Sequence, residues 1–507
     1  MAPIDPSFTR ADTVVIGGGT SGPVVAGRLA EGSDERVLVI EAGPDYGARD
    51  SGRWPADLLD ARALPITHGW GYDSGDLYAG RTIAFERARV IGGCSAHNGC
   101  AALYGSRADY DAWAADGCAG WATDDLLPLF DAVSRRLELQ PGDPSSVGPF
   151  HRAVLDGARA IGLPVVRDLN DLDEDLGAGA FAANIRDGVR WNAAFAYLDP
   201  VRAKPNVAVL GDAIVDRIEL ADGRPARIHA IRHGEALVIE ADRVVLSAGT
   251  YGTPAILLRS GIGPADALER LGIDVVRDVP GVGGNLHDHP MAELDYAGSD
   301  GLGDALAEAA AQGFVPEEQT IVKARSAFCD EAFDLHLAPV AAVLPESLLA
   351  GRVLIAVANM TPRSRGRLTL TSRAAEAPPR IDHGYLNDPA GADLAVIVDG
   401  IRIARELAAS GPLASVIGAE TGVLAGREGA DLAEGVRQTQ VHYYHPVGTA
   451  RMGRADDRDA VCDENGRVRG LGQLWVADCS LIPTVPRANT NIPAFVVGER
   501  VARALLG

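Results

Sequence analysis

Asp12-Thr-Val-Val-Ile-Gly17-Gly-Gly19-Thr-Ser-Gly22, continued by Pro23-Val-Val-Ala-Gly-Arg-Leu-Ala30, decides how the chain begins to fold. A β-branched run ends in glycines and an apolar pattern of helical period follows at once, giving the order strand, tight turn, helix of a dinucleotide-binding βαβ unit. The glycines have separable jobs: Gly17 allows the turn, Gly19 lets backbone approach a pyrophosphate, and Gly22 lets helix pack on strand. Thr20 and Ser21 open the helix, whose free N–H groups and positive dipole suit phosphate. A second strand, Val37-Leu-Val-Ile40, ends at Glu41-Ala42, where a carboxylate about 20 residues past the glycines would hold a ribose.

Working outward, the 507-residue chain has room for two or three domains. Lys and Arg total 47 against 69 Asp and Glu, a net charge of −22 that opposes nucleic-acid backbones and anionic membranes. Six cysteines without a C-x-x-C argue against a disulfide framework or a thiolate zinc site. No apolar run reaches the length of a membrane span, and Met1-Ala-Pro-Ile-Asp-Pro6 lacks the features of a signal peptide, so a cytoplasmic protein is expected.

Further along, Glu86-Arg-Ala-Arg89-Val-Ile-Gly92-Gly93-Cys-Ser95-Ala-His97-Asn98 combines glycines and small polar residues suited to backbone lying on a flat ligand, or to a tight turn with a solvated histidine. Residues 106–163 read as helical, and 206–233 as a β-meander. The strand Ala241–Ser247 runs into Ala248-Gly249-Thr-Tyr-Gly252 and a helix, a second strand, glycine turn and helix. Gly281–Pro290 is another glycine-dense loop; His287 and His289 have no third ligand at a recognisable spacing, so no metal is expected there. Strands at Thr320–Phe328, Phe333–Leu337 and Arg367–Thr371, with helices at Leu302–Gln312 and Ala392–Ala409, suggest a second domain on an antiparallel sheet. The chain returns at Val441–Gly453, and Pro493 is expected to open a final helix that Asn491 could cap.

The N-terminal glycines, Arg89-Val-Ile-Gly92-Gly93, the Gly249–Gly263 segment, Asn285-x-x-Asp288-His289-Pro290 and His445-Pro-Val-Gly-Thr449 occur in the order found in glucose-methanol-choline (GMC) oxidoreductases, and the chain resembles that family over essentially its whole length. The resemblance implies an α/β protein: an FAD-binding Rossmann-like domain of the glutathione-reductase type with an α+β substrate domain built on a mostly antiparallel sheet. The FAD domain would comprise residues 1–160, 201–290 and 441–507, with 161–200 a substrate or cap segment and 291–440 the substrate domain. FAD contacts are implied at Gly17, Gly19, Thr20, Ser21, Gly22, Glu41, Ala42, Arg89, Gly92, Gly93, Ser95, Asn98, Val215, Ala248, Asp478, Asn491 and Pro493. Residues Gly92–Asn98 are most similar to the choline-oxidase branch, which implies a covalent bond from His97 to the flavin.

The same resemblance makes His445 the base that removes the alcohol proton and Asn489 the group that holds the substrate oxygen, with Asn491 an alternative for the latter; Tyr444 would face the substrate. An unperturbed imidazole is well matched to neutral pH. The helix opened by Pro493 would aim its N-terminal dipole at the flavin. Lys323 and Arg325 alternate onto one strand face. If that face meets the flavin, a polyol, sugar-like or anionic alcohol is favoured; otherwise both are solvated charges. The leading expectation is an FAD-dependent alcohol oxidase passing electrons to O2 as H2O2. A dehydrogenase with a quinone or protein acceptor and a flavin-containing hydroxynitrile lyase are the rivals, and an NAD-dependent dehydrogenase explains only the first glycine motif. The expected partners are a small alcohol and an electron acceptor, with a homodimer allowed.

Overall fold

β1 (Arg10–Ile16), α1 (Ser21–Gly32) and β2 (Val37–Ile40) form the expected βαβ unit in the computed structural model, which describes residues 9–78, 80–299, 301–342, 344 and 347–507. The Met1–Pro6 segment read above lies outside the described residues. Every side chain of β2 is buried, as a parallel strand covered on both faces requires. β3 (Val207–Leu210), β4 (Ala213–Ala221), β5 (Arg224–Arg232) and β6 (Glu235–Leu246) complete a sheet of order β3-β2-β1-β6-β5-β4. The first four run parallel, and β6, β5 and β4 form an antiparallel meander. Long β6 gives its first half to β5 and its last residues to Leu474–Val476, which pairs with it in parallel.

Three backbone passages meet at the end of β1. The Ser247 amide donates to Ile16 O at 2.7 Å, so the turn after β6 lies directly on the first glycine turn. A Cβ on Gly17, whose φ is +104°, would stand 2.2 Å from Ser247 O. One on Gly22 would stand 1.9 Å from Gly17 O, and one on Gly93 2.6 Å from the Gly19 Cα. These contacts require glycine for space, and at Gly17 for backbone conformation as well. From the turn after β6 the chain enters α2 (Gly249–Arg259).

The second sheet contains β7 (Pro290–Gly298), β8 (Thr320–Ala324), β9 (Leu335–Ala341), β10 (Val353–Asn359) and β11 (Ile417–Thr421), in the order β11-β7-β10-β9-β8, with Gly177–Ala180 at the far edge. Its strand pairs are antiparallel. Strand alternation sorts its residues cleanly. Leu294, Val322, Leu337 and Val357 pack against α3 (Ala392–Ala409) and the helix Pro149–Ala160. Met291, Ile321, Val340 and Ala356 face the other way with Tyr443, toward the first sheet's half of the molecule.

Several element boundaries differ from those read in the sequence, and two of the differences have a visible cause. The strand at Thr320 stops at Ala324, because Asp334 accepts from the Ser326 amide and hydroxyl and turns the chain back. α4 (Asn491–Leu506) starts two residues before Pro493; no side chain caps it, and the Asn491 amide donates instead to Asn184 Oδ1 at 3.0 Å. Among the described residues, no helix is long and apolar enough to cross a membrane.

The contact at Gly17 can be measured. Gly17→Ala should destabilise the protein by about 3 kcal/mol or more, since strain at a positive φ adds to a steric clash. Gly52→Ala, at φ +70° with nothing within 4 Å of the new Cβ, should cost about 1 kcal/mol. Urea unfolding of the two variants against the parent tests the difference.

Candidate active site

Between the two sheets lies a cavity of about 520 Å³, and the N-termini of α1, α2 and α4 open onto it. Thr20 and Ser21 line it at the start of α1, Ala248 and Gly249 at the start of α2, and Thr490 and Asn491 at the start of α4. None of the three helices has a side-chain N-cap. Asp478 takes two donors of α2: its Oδ2 accepts from the Gly249 amide at 2.9 Å and from the Thr253 hydroxyl at 2.5 Å. Its Oδ1 accepts from the Ser480 amide and hydroxyl. Helix N-termini that leave backbone donors facing a cavity are suited to an anionic ligand.

The glycine cradle has the same character. Gly17, Gly19 and Gly93 line the cavity, and Glu41 closes its floor by accepting from Gly18 N and Gly43 N, both at 2.8 Å. Burial pushes the Glu41 carboxyl up to about 7, against the pull of those two N–H groups. Arg89 donates to Ala42 O at 3.1 Å and lies 5.0 Å over the Trp70 ring. Ala42, Asn98 and Val215 are also on the wall. An elongated polar cradle of backbone N–H groups with an acid at the end of β2 fits the diphosphate and ribose of FAD.

Four residues that the family resemblance linked to FAD lie outside the cavity lining. Gly22 is packed on the Gly17 carbonyl. Gly92 holds the loop turn at φ +87°, and buried Ser95 secures it by donating to Gly92 O and accepting from Ala193 N. Pro493 sits inside the first turn of α4, buried. These residues shape the wall from behind.

Lys323 and Arg325 are brought to neither the cavity nor each other. Lys323 shares the strand face of Ile321, but its ammonium donates to Leu169 O at 2.7 Å and lies 5.1 Å from the Phe333 ring; burial lowers its pKa to about 8. Arg325 falls beyond the end of β8, exposed, with its guanidinium on Ala332 O. The parity of the strand was readable, but not where it would end.

On the second-sheet side, His445, Tyr444 and Asn489 line the cavity together. The His445 amide donates to Asp288 Oδ1 at 2.9 Å, and its ring Nδ1 lies 3.0 Å from Nδ1 of buried His289. His445 Nε2 has no hydrogen-bond partner among the described residues. Burial drives the imidazole pKa of His445 well below its ordinary value and that of His289 down to about 3, so both rings are neutral at neutral pH. Only one Nδ1 of such a pair can carry the proton. With it on His445, the Nε2 lone pair is free and the ring is a base. Asn489 stands beside the Tyr443 hydroxyl and has a buried Oδ1 without a partner.

Asp288, His289 and His445 also bring potential ligand atoms within 4.8 Å of one another. Each has protein partners: the two rings share their hydrogen bond, and Asp288 accepts from the His445 amide and, at 3.2 Å, from Tyr385. His287 is a loop strut, with Nδ1 donating to Asn285 O and Nε2 accepting from Val485 N. His97 lines the cavity, its Nε2–H donating to Thr67 O at 2.6 Å, and burial lowers its pKa to about 4.

Sequence reading missed Tyr443, Arg87, Arg259 and Glu318 on the wall. Tyr443 carried a signal, since it lies two residues from His445. Glu318 precedes β8 in a Pro-Glu-Glu-Gln run that reads as an ordinary solvated turn.

A flavin-sized cradle joined to a buried, neutral histidine suits a flavin-dependent oxidoreductase. Family models described as GMC oxidoreductase match residues 11–291 and 362–498, and the chain belongs to that family as an FAD-dependent oxidoreductase. It is 32% identical to choline oxidase of Arthrobacter globiformis, covering 97% of this chain and 93% of that one. It is also 32% identical to 5-(hydroxymethyl)furfural oxidase of Methylovorus sp. (strain MP688), covering 98% and 99%. Among solved structures, pyridoxine 4-oxidase from Mesorbium loti superposes with a TM-score of 0.86 at 27% identity, covering 97% of this chain and 98% of that one.

Replacing Glu41 removes the acceptor for two N–H groups of the cradle. Glu41→Ala should weaken FAD binding at least tenfold and release flavin on gel filtration, while Glu35→Ala, in the loop before β2 and absent from the cavity lining, should retain it. Flavin-to-protein absorbance ratios report the outcome.

Proposed function

We propose that the protein is an FAD-dependent alcohol oxidase. The observation that carries this reading is His445: a neutral imidazole with a free Nε2, its other nitrogen held by His289, next to Asn489 in the cavity. His445 Nε2 removes the hydroxyl proton as the carbinol hydride departs, and Asn489 holds the alcohol oxygen as its charge develops. When bound, FAD supplies the two-electron acceptor for that hydride. Loss of one proton and one hydride turns the alcohol into the aldehyde or ketone. O2 then takes up two electrons and two protons as H2O2.

During proton uptake His445 becomes doubly protonated, and its Nδ1–H continues to donate to His289 Nδ1. His289 is thus the group that fixes the tautomer of the base. The first-turn N–H groups of α4 supply positive potential on the same wall, favouring the negative charge that accompanies reduction.

For His97 we propose covalent attachment to the flavin. Its depressed pKa supports this, because it keeps the imidazole an unprotonated nucleophile at neutral pH; the new C–N bond would replace one C–H of a flavin methyl and the imidazole N–H, with the two protons and two electrons released taken up by O2 as H2O2.

Two measurements test these assignments. His445→Ala should retain FAD but slow anaerobic bleaching of the flavin by alcohol by about 10² to 10⁴-fold; bleaching at the parental rate would remove His445 from the role of base. Acid precipitation of the parent should leave yellow flavin in the pellet, and His97→Ala should release it to the supernatant.

A further inference from the structure

Among the described residues, three arginines and no lysine line the cavity: Arg87, Arg89 and Arg259. Arg259 is paired with Asp216 at 3.3 Å and also donates to Val215 O. Arg89 donates to Ala42 O and lies over the Trp70 ring. Arg87 has neither kind of anchor. Its Nε donates to Glu86 O, and among the described residues neither Nη1 nor Nη2 has a hydrogen-bond or ion-pair partner. The two carboxylates whose charge reaches it are engaged elsewhere, Glu86 with His442 Nε2 at 3.1 Å and Asp288 with the His445 amide and Tyr385.

Backbone pairing explains why this side chain faces inward. The Trp70 amide donates to Arg87 O at 2.9 Å and the Arg89 amide to His68 O at 2.6 Å, so residues 87–89 run antiparallel to 68–70. Alternation then puts Arg87 on the same side as Arg89, which belongs to the cradle. After burial, the charge of Arg87 is among the causes that lower the pKa of both His97 and His445. Arg87 is thus within electrostatic reach of the residue proposed to hold the flavin methyl and of the proposed base, and flanks the space that the isoalloxazine ring takes up.

A guanidinium does not lose its proton in a protein, and a charge kept from water without a counter-ion is costly. The oxidised isoalloxazine ring is neutral, whereas arrival of a hydride brings it one negative charge. The attraction between that charge and a fixed cation exists only in the reduced state, and it is stronger in a cavity closed to water than in solution.

We propose that Arg87 is the counter-ion of the reduced flavin and raises the reduction potential of the cofactor. This rests on the reading that the flavin lies between His97 and His445, and it goes beyond that reading because it holds whichever alcohol is oxidised and whichever acceptor takes the electrons.

The test uses the FAD-loaded enzyme without any alcohol. Sulfite adds to flavin N5 through its lone pair and leaves the ring anionic, so bleaching of the yellow absorbance by sodium sulfite reports how well that charge is held. Arg87→Met should weaken sulfite binding at least tenfold, the loss expected when a charge-assisted contact is removed. Its two-electron potential, read by equilibration with a reference dye, should fall by about 30 mV or more, the equivalent of a tenfold change. Arg87→Gln, which keeps hydrogen-bonding capacity without charge, should behave as Arg87→Met does, and Arg87→Lys should stay close to the parent in both measurements.

A potential unchanged in Arg87→Met would overturn the proposal even if sulfite binding falls, because sulfite is itself an anion and would then be meeting Arg87 directly, as an anionic substrate would. A parental potential restored by Arg87→Gln would also overturn it, since the role would then be structural. So would a parental potential no higher than that of free FAD, a result that needs no variant. If no alcohol proves to be oxidised, the oxidase reading fails on its own terms, and the potentials still decide the role of Arg87.

Discussion

Backbone pressed against backbone at the end of β1 is the constraint on which the rest of the molecule depends. Gly17 lies under the Ser247 carbonyl, Gly22 on Gly17, and Gly93 on Gly19, so segments from three distant parts of the chain share a space with no room for side chains. This packing brings the first and second βα turns to one side of the sheet and lays the Gly92–Gly93 loop over them. It leaves peptide N–H groups as the main surface offered to a ligand there. A chemically featureless stretch of glycines thereby becomes an anion cradle.

The second sheet does a different job. Its helix-covered face is apolar and closed, while the opposite face carries Met291, Ile321 and Ala356 toward the cavity and leaves space above His445. His445 comes neither from this sheet nor from the cradle but from the segment that rejoins them, where Val441–His442 pairs with β7. Its backbone amide is held by Asp288 and its ring by His289, both of which belong to the Asn285–Pro290 loop at the start of the same strand. Burial deprives both histidines of charge, and the hydrogen bond between them is what then distinguishes one ring nitrogen from the other.

Much of the first half was legible because its chemistry is local. The strand-turn-helix order, Glu41 at the end of β2 and the pairing of β4 with β5 follow from periodicity and glycine placement, and the order of the motifs identified the family. The meander read over 206–233 is shifted, since Val207–Leu210 pairs in parallel with β2 and the third meander strand is β6. The site was readable where the backbone itself forms the wall. It was less so where a long side chain chooses its partner: the face of Lys323 could be read from alternation, but not the Leu169 carbonyl that captures its ammonium. Glu318 was invisible for the converse reason. Nothing in a Pro-Glu-Glu-Gln turn says that one of two adjacent carboxylates folds inward while the other, Glu317, is tied to Leu64 N and Ser347.

The uncapped starts of α1 and α4 also bear on how the protein survives in a cell. Helix ends that lack side-chain partners gain more from an occupant than ends already satisfied, so occupancy and folding are linked by mass action. A ligand present at a hundred times its dissociation constant adds about 2.7 kcal/mol to the folded state. The amount of intact enzyme should therefore follow the supply of flavin during synthesis, making the cofactor a component of the protein's quality control as well as of its chemistry.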